Sequence, residues 1–457
     1  MAAPSSDTVG ASPTVSVRAA RRLEGELRLP GDKSISHRAL MFSLLAEGES
    51  AITGAGDGAD VRSTAGIVAA LGGAVVGAPG AAGNVDYRIR SDGAEAMREP
   101  AATLDCGNSG TSLRLFAGIL AGQPLRAVLD GDASLRSRPM ARVIEPLRAM
   151  GATVDCARSD DLAPLTVVGR APLRAIDWST PVPSAQVKSA ILLAGLRAEG
   201  TTIVRESVAT RDHTERMLRA RSVPVRTSEG ADGGRVIEIE GGAAVQARDE
   251  QVPGDTSAAA FWLVAGAVHP DADLVVRGVG VNPTRRAIVD QLRRMGAAIE
   301  ESLLEAVAGA QLDGVGEPVA DLRVRSSSLE AIELDAADTS RAIDEIPILS
   351  LAATQARGRT VIRGAGELRH KESDRIAGIV DGLRALGARI EAIGDDLHID
   401  GPTPLRGGLV DSRGDHRLAL TFAIAGLIAD GHTTIAGADS VGVSYPSFFA
   451  DLERIRS

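Results

Sequence analysis

Cations, a hydroxyl and a helix start stand together in Pro30-Gly31-Asp32-Lys33-Ser34-Ile35-Ser36-His37-Arg38. Ser34 and Arg38 are four residues apart and so share one helical face. A helix start has unpaired N–H donors and positive potential, so the segment suits an oxyanion, although an N-cap followed by a solvated charge would look the same. Gly107-Asn108-Ser109-Gly110-Thr111 opens another helix with glycines that let a ligand come close to the backbone. Ser184-Ala185-Gln186-Val187-Lys188 follows Pro181-Val182-Pro183 and puts Ser184 and Lys188 on one face. Arg136 and Arg138 precede Pro139, and Arg211-Asp212-His213-Thr214-Glu215 leads into a further helix. Arginine at such junctions can grip carboxylate or phosphate with two hydrogen bonds. Taken one at a time, capping or a surface ion pair explains each of these segments.

The second half of the chain supplies carboxylates. Asp344-Glu345-Ile346-Pro347 leads into an Ala/Leu run, which puts Asp344 at the mouth of that helix. In His370-Lys371-Glu372-Ser373-Asp374-Arg375, Lys371 and Arg375 are i,i+4 and Glu372 is i,i+3 from Arg375, so a helix through the segment gathers all three on one side. Gly414-Asp415-His416-Arg417 precedes the apolar run from Leu418 to Ala429. A charge run is usually solvated surface, but these clusters fall at equivalent points of a repeat. If the helix starts face one cleft, Lys33, Arg38, Arg138, Arg211, Lys371, Arg375 and Arg417 converge on it, and the expected ligands are small phosphates and carboxylates.

The elements that must position these groups come from a chain of 457 residues, long enough for two domains. With 44% hydrophobic and 24% charged residues it is a folded protein, and 50 Lys and Arg against 60 Asp and Glu argue against a nucleic-acid coat. Cys106 and Cys156 are its only cysteines, too few for a disulfide framework or a thiolate zinc site, so a reducing, cytoplasmic setting is expected. The apolar run at 418–429 is well short of the roughly 20 residues of a membrane span. No GxxxxGK[ST] loop, zinc pattern or dinucleotide pattern appears. Residues 1–20, rich in Ala, Ser and Thr, read as a loose tail, with a transit peptide as the other reading.

One unit recurs six times: an apolar helical run, a glycine-type stop, then a short β-branched strand, with the strands starting near Gly48, Gly122, Gly200, Asp271, Gly358 and Gly431. A second helix in the unit ends alike in LRAMGATVD, LRRMGAAIE and LRALGARIE, each glycine closing a helix before a strand. Each unit therefore reads as βαβαβ with a further strand. RLPGDKSISHRALMF also resembles EQVPGDTSAAAFWLV, and three units follow each Pro-Gly-Asp. Boundaries near Gly31 and Gly254 make one lobe of 1–31 with 254–457 and the other of 32–253. The two crossovers then form either a hinge beside a cleft or two ordinary strand-to-helix turns.

PGDKSISHRAL, GNSGTSLRL, RSRPM, SAQVKSAILLAGL, RDHTERML, NPTRRAIVDQL, IDEIP, KESDRI and GDHRLAL, in this order, resemble the 5-enolpyruvylshikimate-3-phosphate synthase family from about residue 23 onward. The resemblance implies an α/β (α+β) fold of two similar lobes, each of three βαβαββ repeats around a pseudo-threefold axis, with the substrate cleft between them. It implies transfer of the enolpyruvyl group of phosphoenolpyruvate to the 5-hydroxyl of shikimate 3-phosphate, by addition and elimination, in chorismate and aromatic amino-acid biosynthesis. It implies a monomer without metal or organic cofactor, and no nucleic-acid or membrane partner. Lys33, Ser34, Arg38, Ser184, Ala185, Gln186 and Arg211 are then expected to hold shikimate 3-phosphate, with Lys33 and Gln186 reaching the second substrate. Gly110, Arg138, Arg375 and Arg417 are expected to hold phosphoenolpyruvate. Asp344 is the expected base for the 5-hydroxyl, with Lys371 beside it, and Glu372 the expected proton donor to the methylene carbon.

The chain departs from the family's pattern at Val443 and Ser444, where many members have Lys, and His370 stands where an apolar residue is common. One branch of the family has a second Ser where Ala185 stands and Asn where Glu367 stands, so the chain resembles the other branch. Gly110 stands where glyphosate-tolerant members carry Ala, so inhibition by glyphosate is expected. A related enolpyruvyl transferase acting on a UDP-amino sugar would carry a reactive Cys in the loop that reads Arg136-Ser137-Arg138-Pro139, and a non-catalytic phosphate-binding scaffold would not need Asp344 or Glu372.

Overall fold

Each β-branched run of the repeat is an inner strand of its own sheet in the computed structural model, which describes residues 13–158, 161–230, 233–304 and 315–456. These strands are Glu47–Ala55, Arg126–Asp130, Thr201–Glu206, Ala272–Gly280, Gly358–Ile362 and His432–Ala436. The second sheet shows the pattern: Leu104–Asp105 lies parallel to Arg126–Asp130, whose other side pairs antiparallel with Leu165–Val168, and Thr153–Cys156 completes the order. Along the chain this is βαβαββ.

Two edge strands are exchanged at the Pro-Gly-Asp crossovers. Leu23–Arg28, just before Pro30, lies parallel to Ala272–Gly280, and Glu250–Gln251, just before Pro253, lies parallel to Glu47–Ala55. The crossovers lie against each other, with Asp32 N–H donating to the Pro253 carbonyl at 2.8 Å and Asp255 N–H to the Pro30 carbonyl at 2.9 Å. The expected loose tail over residues 1–20 is corrected in part, for Thr14–Arg18 is a strand paired antiparallel with His432–Ala436. The chain after 436 turns into helix, so the sixth sheet takes its antiparallel strand from the alternating TVSVR, whose Val17 is buried. The rest of that tail, 1–12, lies outside the described residues.

The apolar residues form two cores, one drawn from Ile35 to Val252, the other from Val17 to Leu29 and Ala258 to Ile455. Helices buried on nearly all sides run through them, among them Lys33–Leu45, Gly110–Ala121 and Ala185–Gly195 in one and Thr256–Val268, Ile346–Gln355 and His416–Gly426 in the other. With 2% aromatics, close approach replaces bulk: Gly118 lies directly against the Ala190 backbone, where a Cβ would not fit. Among the described residues, no helix is long and apolar enough to cross a membrane.

Candidate active site

Polar helix starts from both cores meet at one place. Asp32 caps the 33–45 helix by accepting from Ile35 N–H at 2.9 Å, and the next residue, Lys33, reaches the Asp60 carboxylate at 3.2 Å. Burial alone would lower the Lys33 pKa, but Asp60 and then Glu372, which lies in the opposite lobe, outweigh it and hold the ammonium above its ordinary value. Arg38 is buried one turn on: its Nε donates to Thr214 at 2.8 Å, and its other nitrogens to Ser189 at 3.0 Å and the Ser34 carbonyl at 2.9 Å. Burial brings its pKa down to about 10.

Ser109 caps the 110–121 helix, accepting from Ser112 N–H at 3.0 Å. Arg138 is drawn to this start by the Asn108 side chain at 2.6 Å, the Asn108 carbonyl at 3.3 Å and Ser134 at 3.2 Å. Gly110 leaves the space: a methyl there would sit 2.6 Å from an Arg114 nitrogen and 3.5 Å from Arg138. Ser184 caps the 185–195 helix, and Gln186 accepts from Arg114 at 2.5 Å while donating to Thr111 at 3.0 Å. Ser184, Ala185 and Gln186 are thereby tied to the Gly110 side. Lys188 goes elsewhere, fully buried between Glu206 at 2.9 Å and Glu215 at 2.8 Å.

Asp344 is the centre of the opposite wall. Its carboxylate lies 2.6 Å from Arg211 of the other core, 3.6 Å from Arg375 and 3.8 Å from Lys371, and its carbonyl accepts from Arg417 at 2.9 Å. Burial would raise its pKa, but Lys371, Arg417, Arg211 and Arg375 together hold it well below the carboxylate range. Glu372 accepts from Arg375 at 2.6 Å; burial opposes its ionisation too, and the charges of Arg375 and Lys33 outweigh it. Arg375 is 1% exposed, anchored on Asp415 at 2.7 Å, and one terminal nitrogen is buried without a hydrogen-bond partner. That nitrogen is the one that faces the Asp344 carboxylate at 3.6 Å, an ion pair too long for a hydrogen bond. Burial, reinforced by Arg417, Lys33 and Arg375, pulls His416 down to about 3, so it sits there neutral.

The helical spacing expected for 371–375 is not what gathers those groups. Gly366–His370 is a 3-10 turn, Lys371 is extended, and the helix begins at Arg375 with Asp374 as its cap. Lys371, Glu372 and Arg375 meet because the short stretch between the two helical pieces folds over the helix start. Sequence reasoning gave no role to Asp60, Asn108 and Asp415, which aim Lys33, Arg138 and Arg375, or to Arg114, which holds the Gln186 side chain. Asp60 and Asp415 stand at helix starts beside glycines, a pattern shared with ordinary caps. Nothing in the structure explains His370. Cys106 is buried, and burial followed by Asp105 and Asp130 pushes its thiol up, which removes it as a nucleophile for the UDP-sugar alternative.

The family model for EPSP synthase (3-phosphoshikimate 1-carboxyvinyltransferase) matches residues 17–452. A 3-phosphoshikimate 1-carboxyvinyltransferase of Gloeobacter violaceus is 51% identical over 442 residues, covering 96% of this chain and 98% of the relative. One of Bacillus cereus is 48% identical over 433 residues, covering 95% and 97%. A solved structure of EPSP synthase from Acinetobacter baumannii superposes with a TM-score of 0.86 at 39% identity, covering 97% of this chain and 98% of that one.

Proposed function

The chain belongs to the EPSP synthase family, and from that premise we propose how its residues share the work of the reaction. The enzyme transfers the enolpyruvyl group of phosphoenolpyruvate to the 5-hydroxyl of shikimate 3-phosphate and releases phosphate. Lys33, Ser34, Arg38, Ser184, Ala185, Gln186 and Arg211 hold shikimate 3-phosphate, while Gly110, Arg138, Arg375 and Arg417 hold phosphoenolpyruvate, with Lys33 and Gln186 shared. The lobes divide at Gly31 and Gly254, and the protein is a cytoplasmic monomer. The observation that carries the assignment is Asp344, a carboxylate ringed by Arg211, Lys371 and Arg375 where the two cores meet.

Asp344 accepts the 5-hydroxyl proton as that oxygen bonds to C2 of phosphoenolpyruvate, and Glu372 delivers a proton to the methylene carbon, giving a tetrahedral adduct with a methyl group. Glu372, left as the carboxylate, then takes one methyl proton back while the C2–O bond to phosphate breaks, restoring the enol ether; the departing phosphate keeps the bonding pair and takes the proton held on Asp344, which returns both carboxyl groups to their starting states. Arg138, Arg375 and Arg417 offset the charge on the departing phosphate. Glu372 is ionised without substrates, because Arg375 and Lys33 stabilise its charge. Each phosphate brings about −1.5 to −2 charges, which neutralise those cations and raise both carboxylates toward working values. Phosphate release is to be measured from phosphoenolpyruvate with and without shikimate 3-phosphate, beside Asp344→Ala. Release only with both substrates, and lost in the variant, is expected; full release from Asp344→Ala would overturn the role of the base.

A further inference from the structure

The segment that departs from the family's pattern is also a place where the lobes touch through backbone. Gly58, buried at the start of the Ala59–Ala70 helix, has φ −72° and ψ 153°, a conformation open to any residue. A methyl group on it would nevertheless sit 2.5 Å from the Val443 carbonyl oxygen and 3.6 Å from its carbon, well inside van der Waals contact. Gly58 belongs with the 35–252 core, whereas Val443 ends the 3-10 turn Ala438–Val443 beside the other.

Both sides of the contact are held. Two residues beyond Val443, Tyr445 is 1% exposed, its N–H donates to the Val441 carbonyl at 2.9 Å and its hydroxyl to Asp451 at 2.9 Å. Its ring lies edge-on to Trp262 and Phe448, with centroids 6.3 and 5.5 Å away. Opposite, the Gly58 carbonyl accepts from Val61 and Arg62 N–H at 3.0 and 3.2 Å. Asp60, two residues on, holds the Lys33 ammonium at 3.2 Å. The contact is therefore joined through one helical turn to a cation facing Glu372 across the cleft.

We infer that Gly58 is a positioning residue for enolpyruvyl transfer: its missing side chain lets this turn seat on the Val443 carbonyl, and that seating sets how far the lobes close. The inference rests on the cleft assignment above, in which shikimate 3-phosphate is held mainly from one lobe and phosphoenolpyruvate from both. Blocking closure should then spare the first ligand and harm use of the second.

The test compares Gly58→Ala and Gly58→Val with Gly66→Ala, a control in the same helix where a methyl meets open space. Calorimetric binding of shikimate 3-phosphate is expected to stay within about twofold of the natural chain, while kcat/KM for phosphoenolpyruvate falls on the order of 10- to 100-fold in Gly58→Ala and further in Gly58→Val. Small-angle scattering with both substrates should give a larger radius for the Gly58 variants than for Gly66→Ala, at matched melting temperatures. Unchanged kcat/KM in Gly58→Val, or equal loss of shikimate 3-phosphate binding and turnover, would overturn the inference alone. Failure of the natural chain to bind shikimate 3-phosphate would overturn the cleft assignment, and the inference with it.

Discussion

Replacing Asp344 by Asn removes one charge from a crowded site with almost no change of shape. The carboxylate is 2.6 Å from Arg211, 3.6 Å from Arg375 and 3.8 Å from Lys371, with Arg417 on its carbonyl. Loss of a positioned base lowers kcat by roughly 10²- to 10⁴-fold. Binding should move the other way, because the variant strips Arg211 of its nearest counter-charge and removes one negative charge from beside Lys371 and Arg375, leaving more positive charge facing the anionic substrates. A unit charge about 6 Å from a substrate anion is worth roughly 0.7–3 kcal/mol at an effective dielectric of 80 to 20, so affinity should rise by about 3- to 100-fold. Single-turnover phosphate release gives the first quantity and calorimetric titration of shikimate 3-phosphate the second. A damaged scaffold would weaken both; kcat within tenfold of the natural chain, or weaker binding in Asp344→Asn, refutes the reasoning. Stability adds a sign. A carboxylate whose folded pKa lies below its unfolded value stabilises the fold above the ordinary carboxylate pKa of about 4 and loses that contribution as pH falls through the folded value. The natural chain should therefore melt higher than Asp344→Asn at pH 7, with the gap closing under strong acid.

Glu372→Gln should lower kcat by roughly 10²- to 10⁴-fold with both substrates still bound, and the decline of kcat as rising pH strips the proton from Glu372 in the complex should be absent in the variant's pH profile. In Gly110→Ala the added methyl presses on Arg114 and Arg138, so KM for phosphoenolpyruvate should rise about tenfold, the loss of roughly one charge-assisted hydrogen bond. Glyphosate should compete with phosphoenolpyruvate in the natural chain and weaken more than the substrate does in Gly110→Ala; undiminished rates of the natural chain at excess inhibitor would end that expectation. Gly118→Ala, where the methyl meets the Ala190 backbone, should cost about 1–3 kcal/mol in urea unfolding while activity per folded molecule is kept.

The strand starts, the six-fold repeat and the helix starts carrying Lys33, Gly110, Ser184, Asp344 and Arg417 were legible in the sequence alone. They depend on glycine stops, caps and alternation, signals that act over a few residues and survive in any context. The resemblance supplied the chemistry those helix starts could serve. The tertiary structure decided which distant segments answer one another. It paired Thr14–Arg18 with a strand at the far end of the chain and exchanged Leu23–Arg28 and Glu250–Gln251 at the crossovers. It withdrew Lys188 into a buried pair of glutamates and left 371–374 outside the helix. It also brought Arg211 to Asp344, 133 residues away along the chain. Pairings of this kind depend on which apolar faces cover one another and which buried charges then need a partner, and no local pattern of residues encodes either.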